Sequence, residues 1–138
     1  MVSIILATAS RYLLPLMLIF SFFLLLRGHN EPGGGFVGGL MAAAAYSLYL
    51  FANGVEEAKK LLRTDMLNLI ALGLFFAIVS GFISVAYGQN FMTGVWLKEE
   101  LPVLGKVGTP LLFDLGVYFL VLGITLKIIF HLAEEDEK

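Results

Sequence analysis

The chain has 138 residues, of which 59% are hydrophobic and only 14% charged, and its formal net charge is -2. Soluble domains hold roughly 45–50% apolar and about 25% charged residues, so this composition indicates a protein embedded in a lipid bilayer. The nine Lys and Arg residues are scattered, which excludes a basic surface for nucleic acid. The absence of cysteine excludes disulfides and thiolate metal sites within this chain.

Four charge-poor windows are long enough to cross a bilayer, whose hydrocarbon core of about 30 Å needs roughly 20 apolar helical residues. They are residues 3–26, 33–52, 66–87 and 107–130. The first is interpreted as a retained span, because no Lys or Arg precedes it and no small-residue cleavage site follows it. The connectors are too short for a second domain. We therefore predict one membrane domain over residues 1–138, with an all-α fold, a bundle of four transmembrane helices.

The distribution of basic residues predicts the orientation of this bundle. Four spans place both termini and the connector between spans 2 and 3 on one side of the membrane. That side carries six basic residues: Arg11, Lys59, Lys60, Arg63, Lys127 and Lys138. The other side carries three: Arg27, Lys98 and Lys106. The positive-inside rule then predicts cytoplasmic termini.

Asp114 is the residue that most clearly suggests function, because it lies about two turns inside an otherwise uncharged part of the fourth span. A carboxylate in hydrocarbon is costly unless it is protonated, paired or facing water. Helical spacing puts Tyr118 on the same face. Arg27 and His29, just after the end of the first span, are chargeable groups on the same side. Two interpretations stay open: Asp114 is linked to ion or proton movement, or it accepts hydrogen bonds that lock helix packing.

The second span begins with a run of small residues that predicts close helix packing. Gly34, Gly38 and Ala42 recur every four residues, as do Gly35, Gly39 and Ala43, so one side of this helix is nearly bare backbone. Another helix can approach that side closely, and it could belong to a partner subunit. The glycine run matches neither of the nucleotide-binding motifs GxGxxG and GxxxxGK[ST].

Other chemistry has little support in the sequence. His29 and His131 lie near opposite membrane faces, so no metal site is expected. No Ser/His/Asp arrangement or carboxylate pair supports hydrolysis, and we expect neither enzyme activity nor a cofactor. Trp96, with Phe91 and Met92, is interpreted as a segment at the level of the lipid headgroups.

Two segments carry a family resemblance. Residues 27–40, RGHNEPGGGFVGGL, and residues 108–118, GTPLLFDLGVY, resemble the two signatures of the MnhB/MrpB subunit of multisubunit Mrp-type sodium/proton antiporters. The resemblance implies a small four-span, non-catalytic subunit in a prokaryotic cell (inner) membrane, with other membrane subunits as partners and Na⁺ and H⁺ as transported ions. It also implies functional importance for Asp114 and for the segment Pro32, Gly33, Gly34, Gly35 and Phe36.

The leading hypothesis is thus a subunit that supports proton-driven cation efflux and assembly of the antiporter. One alternative is the sodium-translocating membrane arm of a hydrogenase-type redox complex. Another is a purely structural bundle that holds larger subunits together.

Overall fold

The computed structural model describes residues 4–27, 34–62, 65–86, 96–101 and 105–136. Its elements in chain order are α1 (Ile4–Arg27), α2 (Gly35–Asn53), α3 (Val55–Leu62), α4 (Met66–Ala86), β1 (Trp96–Leu101), β2 (Gly105–Gly108) and α5 (Thr109–Asp136).

Four of the helices, α1, α2, α4 and α5, are long and apolar enough to cross a membrane, which confirms the predicted fold class. The largest difference in bounds is at α5, which continues to Asp136, six residues beyond the predicted window. Two side-chain contacts lie at the polar end of this helix. His131 lies 3.4 Å from Glu135 one turn later, and Glu134 pairs with Lys59 of α3.

The four long helices pack side by side in the order α1, α2, α5, α4. The inner helix α2 contacts both α1 and α5, and half of its apolar window is buried. The outer helices α1 and α4 keep most of their apolar residues exposed, for example Ile19, Phe75 and Phe82. These outward faces are suited to contact lipid or other membrane proteins.

The directions of the helices place α3, the beginning of α1 and the end of α5 at one end of the row. The chain leaves α2 through Gly54, whose φ of 96° favours glycine, and its N–H donates to the Leu50 carbonyl. Helix α3 follows, and its residues Val55 and Ala58 are buried. Asp65 caps α4, since the Leu67 N–H donates to its Oδ1 at 3.1 Å.

At the opposite end, the connector before α5 contains an antiparallel pair of short strands that the sequence analysis did not predict. Trp96 pairs with Gly108, and Leu101 with Gly105, with an irregular register between them. Trp96, placed by the sequence in a headgroup-level segment, is the first residue of β1. Phe91 and Met92, assigned to the same segment, lie outside the described residues.

Candidate functional site at the contact of α1, α2 and α5

The site begins at Gly34, immediately before α2. Its φ of 106° is a conformation that side chains other than glycine rarely adopt. The Gly34 N–H donates to the Leu24 carbonyl of α1 at 2.9 Å, and its own carbonyl accepts from the Gly38 N–H. Gly34 therefore joins the end of α1 to the beginning of α2.

The glycines that follow let three helices approach at backbone distance. A Cβ at Gly35 would overlap the carbonyl oxygen of Asp114. A Cβ at Gly39 would lie 2.9 Å from the Tyr118 carbonyl oxygen, and one at Gly38 would lie 2.8 Å from the Ser21 carbonyl oxygen of α1. The two rows of small residues thus pack on α5 and α1 of this same chain.

This arrangement brings the two signature segments into direct contact. Gly35 and Gly39 come from the first, and Asp114 and Tyr118 from the second. Because α2 and α5 run in the same direction, the order of contacts follows the order of residues in both helices. The close approach requires glycine on α2, which explains why these positions carry no side chain.

A buried hydrogen bond closes the contact between α5 and α1. The hydroxyls of Tyr118 and Ser21 lie 2.8 Å apart, and both residues are buried. Ser21 donates its own proton to the Leu18 carbonyl at 2.7 Å, so Tyr118 is the donor to Ser21. Both hydroxyls are therefore satisfied inside the row of helices.

Asp114 lies one turn before Tyr118, on the α2 side of α5, and is partly buried. Since α5 begins at Thr109, Asp114 is about 7.5 Å along the helix axis from its start. Asp114 is therefore close to the membrane surface and partly buried. Such a place suits a group that exchanges a cation or a proton with water.

Arg27 ends α1 at the same end of the row. Its guanidinium carbon lies 5.3 Å from the ring centroid of Phe23, a cation–π contact. Phe36, which the resemblance marks as important, is 59% exposed and points away from the glycine contacts. His29, Pro32 and Gly33 lie outside the described residues. Among the residues that are described, no three His, Asp or Glu side chains are grouped to ligate a metal ion.

Sequence reasoning missed Ser21 and the second glycine contact, between α4 and α5. A serine inside an apolar helix is a weak signal, because its hydroxyl can be satisfied by its own backbone. Gly73 of α4 and Gly116 of α5 face each other: a Cβ on Gly116 would lie 2.6 Å from the Gly73 carbonyl oxygen. These two glycines are isolated in sequence, whereas those of α2 form a regular repeat.

Residues 5–127 match the family described as a domain related to the MnhB subunit of Na⁺/H⁺ antiporter. The chain is 41% identical over 135 residues to a Na⁺/H⁺ antiporter subunit of Bacillus subtilis (strain 168), covering 96% of this chain and 94% of that protein. It is 40% identical, over the same shares, to the corresponding antiporter subunit of Alkalihalophilus pseudofirmus. A putative antiporter subunit mnhB2 of Staphylococcus aureus (strain Newman) is 33% identical, over 94% of both chains.

A solved structure of the Mrp complex from Dietzia sp. DQ12-45-1b contains a similar fold. The TM-score is 0.83 at 31% sequence identity, and the match covers 98% of this chain but only 14% of that chain. The family match, the relatives and the fold all extend over nearly the whole sequence. This chain therefore belongs to the family of domains related to the MnhB subunit of Na⁺/H⁺ antiporters.

Proposed function

We propose that this multi-pass membrane chain is a subunit of a multisubunit sodium/proton antiporter and supports proton-driven cation efflux. The observation that carries the proposal is the contact between its two signature segments, where Gly35 of α2 meets the backbone of Asp114 of α5. It is supported by relatives named as antiporter subunits, which align over almost the whole chain.

Asp114 supplies the ion-linked group in this proposal. Its carboxyl binds a proton or a cation that enters from the adjacent membrane surface. Arg27, at the same end of the row of helices, supplies positive charge that favours release of the bound cation. His29, two residues later in the sequence, adds to this charge when it is protonated. Tyr118 and Ser21 extend the polar groups one turn deeper, and their hydrogen bond holds α1 against α5 while the carboxyl changes its charge.

Other membrane subunits perform the functions of the antiporter that this chain does not. The chain works beside other membrane subunits, performs no covalent chemistry and needs no cofactor. The exposed apolar faces of α1 and α4 contact those subunits or the lipid bilayer. The termini face the cytoplasm of a prokaryotic cell, because six of the nine basic residues lie on their side of the membrane.

Deletion of this chain from the expressed gene cluster tests the subunit role. Sodium/proton exchange is measured in membrane vesicles, and assembly of the remaining subunits on native gels of the same membranes. We expect exchange to be lost and to return when the chain is supplied from a second plasmid. Unchanged assembly and unchanged exchange in the deletion strain would contradict the proposal.

A further inference from the structure

A cavity of about 450 Å³ opens at the end of the helix row opposite to Asp114, between the polar end of α5, helix α3 and the beginning of α4. Its lining combines two kinds of surface. Met66, Ile128 and Phe130 are apolar, whereas the remaining lining residues are polar: Lys59, Lys127, His131 and Glu134. The Glu134 carboxylate pairs with Lys59. A cavity with an apolar floor and the Lys127 ammonium at its rim fits an amphiphilic anion.

The depth of the cavity matches the level of lipid headgroups. Lys127 is 18 residues from Thr109 at the start of α5, about 27 Å along the helix axis. The hydrocarbon core of a bilayer is about 30 Å thick. Lys127 therefore lies near the far boundary of the hydrocarbon layer, where a lysine can reach the phosphates of the adjacent leaflet.

The charges around the cavity leave Lys127 available to a ligand. Glu134 pairs with Lys59, and Glu135 lies 3.4 Å from the Nε2 of His131. Within the part of the chain that the structure describes, the ammonium group of Lys127 has no carboxylate partner. It is exposed, and it shares one face of α5 with His131 and Glu134 because they follow at intervals of four and three residues.

We propose that this cavity binds the headgroup of an anionic phospholipid, with Lys127 contacting the phosphate and an acyl chain lying along Met66 and Ile128. The ligand is a lipid and not a free anion, because a free anion has no acyl chain to contact the apolar floor. The bound lipid fills the gap between α3 and α5 and holds the polar end of the row together. This site is independent of the antiport role proposed for Asp114.

Binding is measured on the purified full-length chain by native mass spectrometry during lipid titration. The probes are phosphatidylglycerol, phosphatidylcholine with the same acyl chains, and glycerol 3-phosphate as the free headgroup. We expect phosphatidylglycerol to bind about fivefold more tightly than phosphatidylcholine, as one lysine near an anionic headgroup predicts. Equal binding of the two lipids, or equal binding of glycerol 3-phosphate, would overturn the proposal.

Charge variants locate the site. Lys127→Gln is expected to abolish the preference for phosphatidylglycerol, and Lys127→Arg to retain it. Lys60→Gln is the matched control, because Lys60 is exposed on α3, pairs with Glu57 and does not line the cavity. Thermal unfolding of each variant verifies that it is folded. A preference that persists in Lys127→Gln, or disappears equally in Lys60→Gln, would contradict the assignment.

The assembled complex provides the second test. A photoreactive benzophenone residue is placed at Ile128 and illuminated in membranes that contain the complete complex. A mass increase equal to one phospholipid supports the proposal. A cross-link to another protein subunit instead would overturn it, because that subunit would then occupy the cavity.

Discussion

Helix α5 packs on two neighbours, and the two contacts differ in chemistry although both depend on glycine. On one face, Asp114 and Tyr118 meet the glycines of α2, and the Tyr118 hydroxyl reaches Ser21 of α1. On the opposite face, Gly116 meets Gly73 of α4 at a similar backbone distance. The α4 contact also includes apolar side chains such as the ring pair Phe76 and Phe119.

The comparison of these two contacts distinguishes residues that allow close packing from residues that suggest a function. Glycine allows backbones to approach closely in both contacts, so a row of small residues by itself marks only a helix interface. The α2 contact differs because it includes the backbone of Asp114, a partly buried ionisable residue, and lies beside the buried hydroxyl pair of Tyr118 and Ser21. Substitution of a glycine should therefore lower stability to a similar extent in both contacts. Substitution of the polar groups should have an effect only at the α2 contact and its hydroxyl pair.

The largest effects on stability are expected from Gly35→Ala and Gly116→Ala. The added Cβ would overlap the Asp114 carbonyl in the first and lie 2.6 Å from the Gly73 carbonyl in the second. Overpacking against backbone should lower the free energy of unfolding by about 3 kcal/mol in each case. Thermal unfolding of the purified chain in detergent measures this. Ala44→Ser, at an exposed position of α2, is the control.

If one of the two alanine variants unfolds at the wild-type temperature, its contact is looser than described and the comparison fails. Equal losses in both variants would support the view that the two contacts share one packing mechanism.

Smaller and unequal losses in the free energy of unfolding are expected when either partner of the buried hydrogen bond is substituted. Ser21→Ala leaves the Tyr118 hydroxyl buried without its acceptor and should cost about 1.5 kcal/mol. Tyr118→Phe removes that hydroxyl, while Ser21 keeps its bond to the Leu18 carbonyl, so it should cost about 0.6 kcal/mol. The double variant should be more stable than Ser21→Ala alone, because Tyr118→Phe removes the hydroxyl that Ser21→Ala leaves unpaired. Equal losses in the two single variants would contradict the donor assignment.

The smallest effect is expected at the other end of α1, where the Asn53 Nδ2 donates to the Ser10 hydroxyl at 2.9 Å and to the Tyr49 carbonyl at 3.1 Å. Ser10→Ala removes only one of these acceptors. It should lower the free energy of unfolding by about 0.5 kcal/mol and leave sodium/proton exchange unchanged. A marked loss of exchange would show that polar groups far from Asp114 also belong to the transport path.

The sequence was sufficient to predict the four spans and to single out Asp114 and Tyr118, since span length and a rare intramembrane carboxyl are strong signals. It could not show what the glycines of α2 pack against, because the repeat indicates a close neighbour without identifying it. The structure identifies that neighbour as α1 and α5 of the same chain.

Other features had weaker signals. The strand pair before α5 was missed because its first strand reads Trp-Leu-Lys-Glu-Glu-Leu, and charged residues of this kind are depleted in strands. Ser21 was missed because its importance depends on Tyr118, which is 97 residues away in the sequence. Pairing over such a distance is a property of the tertiary structure alone.

The most direct test of the account is sodium/proton exchange by the complete complex carrying Asp114→Asn, expressed per assembled complex on native gels. Asp65→Asn makes the same chemical change at an exposed position where asparagine also caps the helix, and it serves as the control. We predict that Asp114→Asn assembles normally and lowers exchange by about tenfold or more, while Asp65→Asn has no effect. Wild-type exchange per complex in Asp114→Asn, or a loss of assembly that fully explains the loss of exchange, would contradict an ion-linked role for this carboxyl.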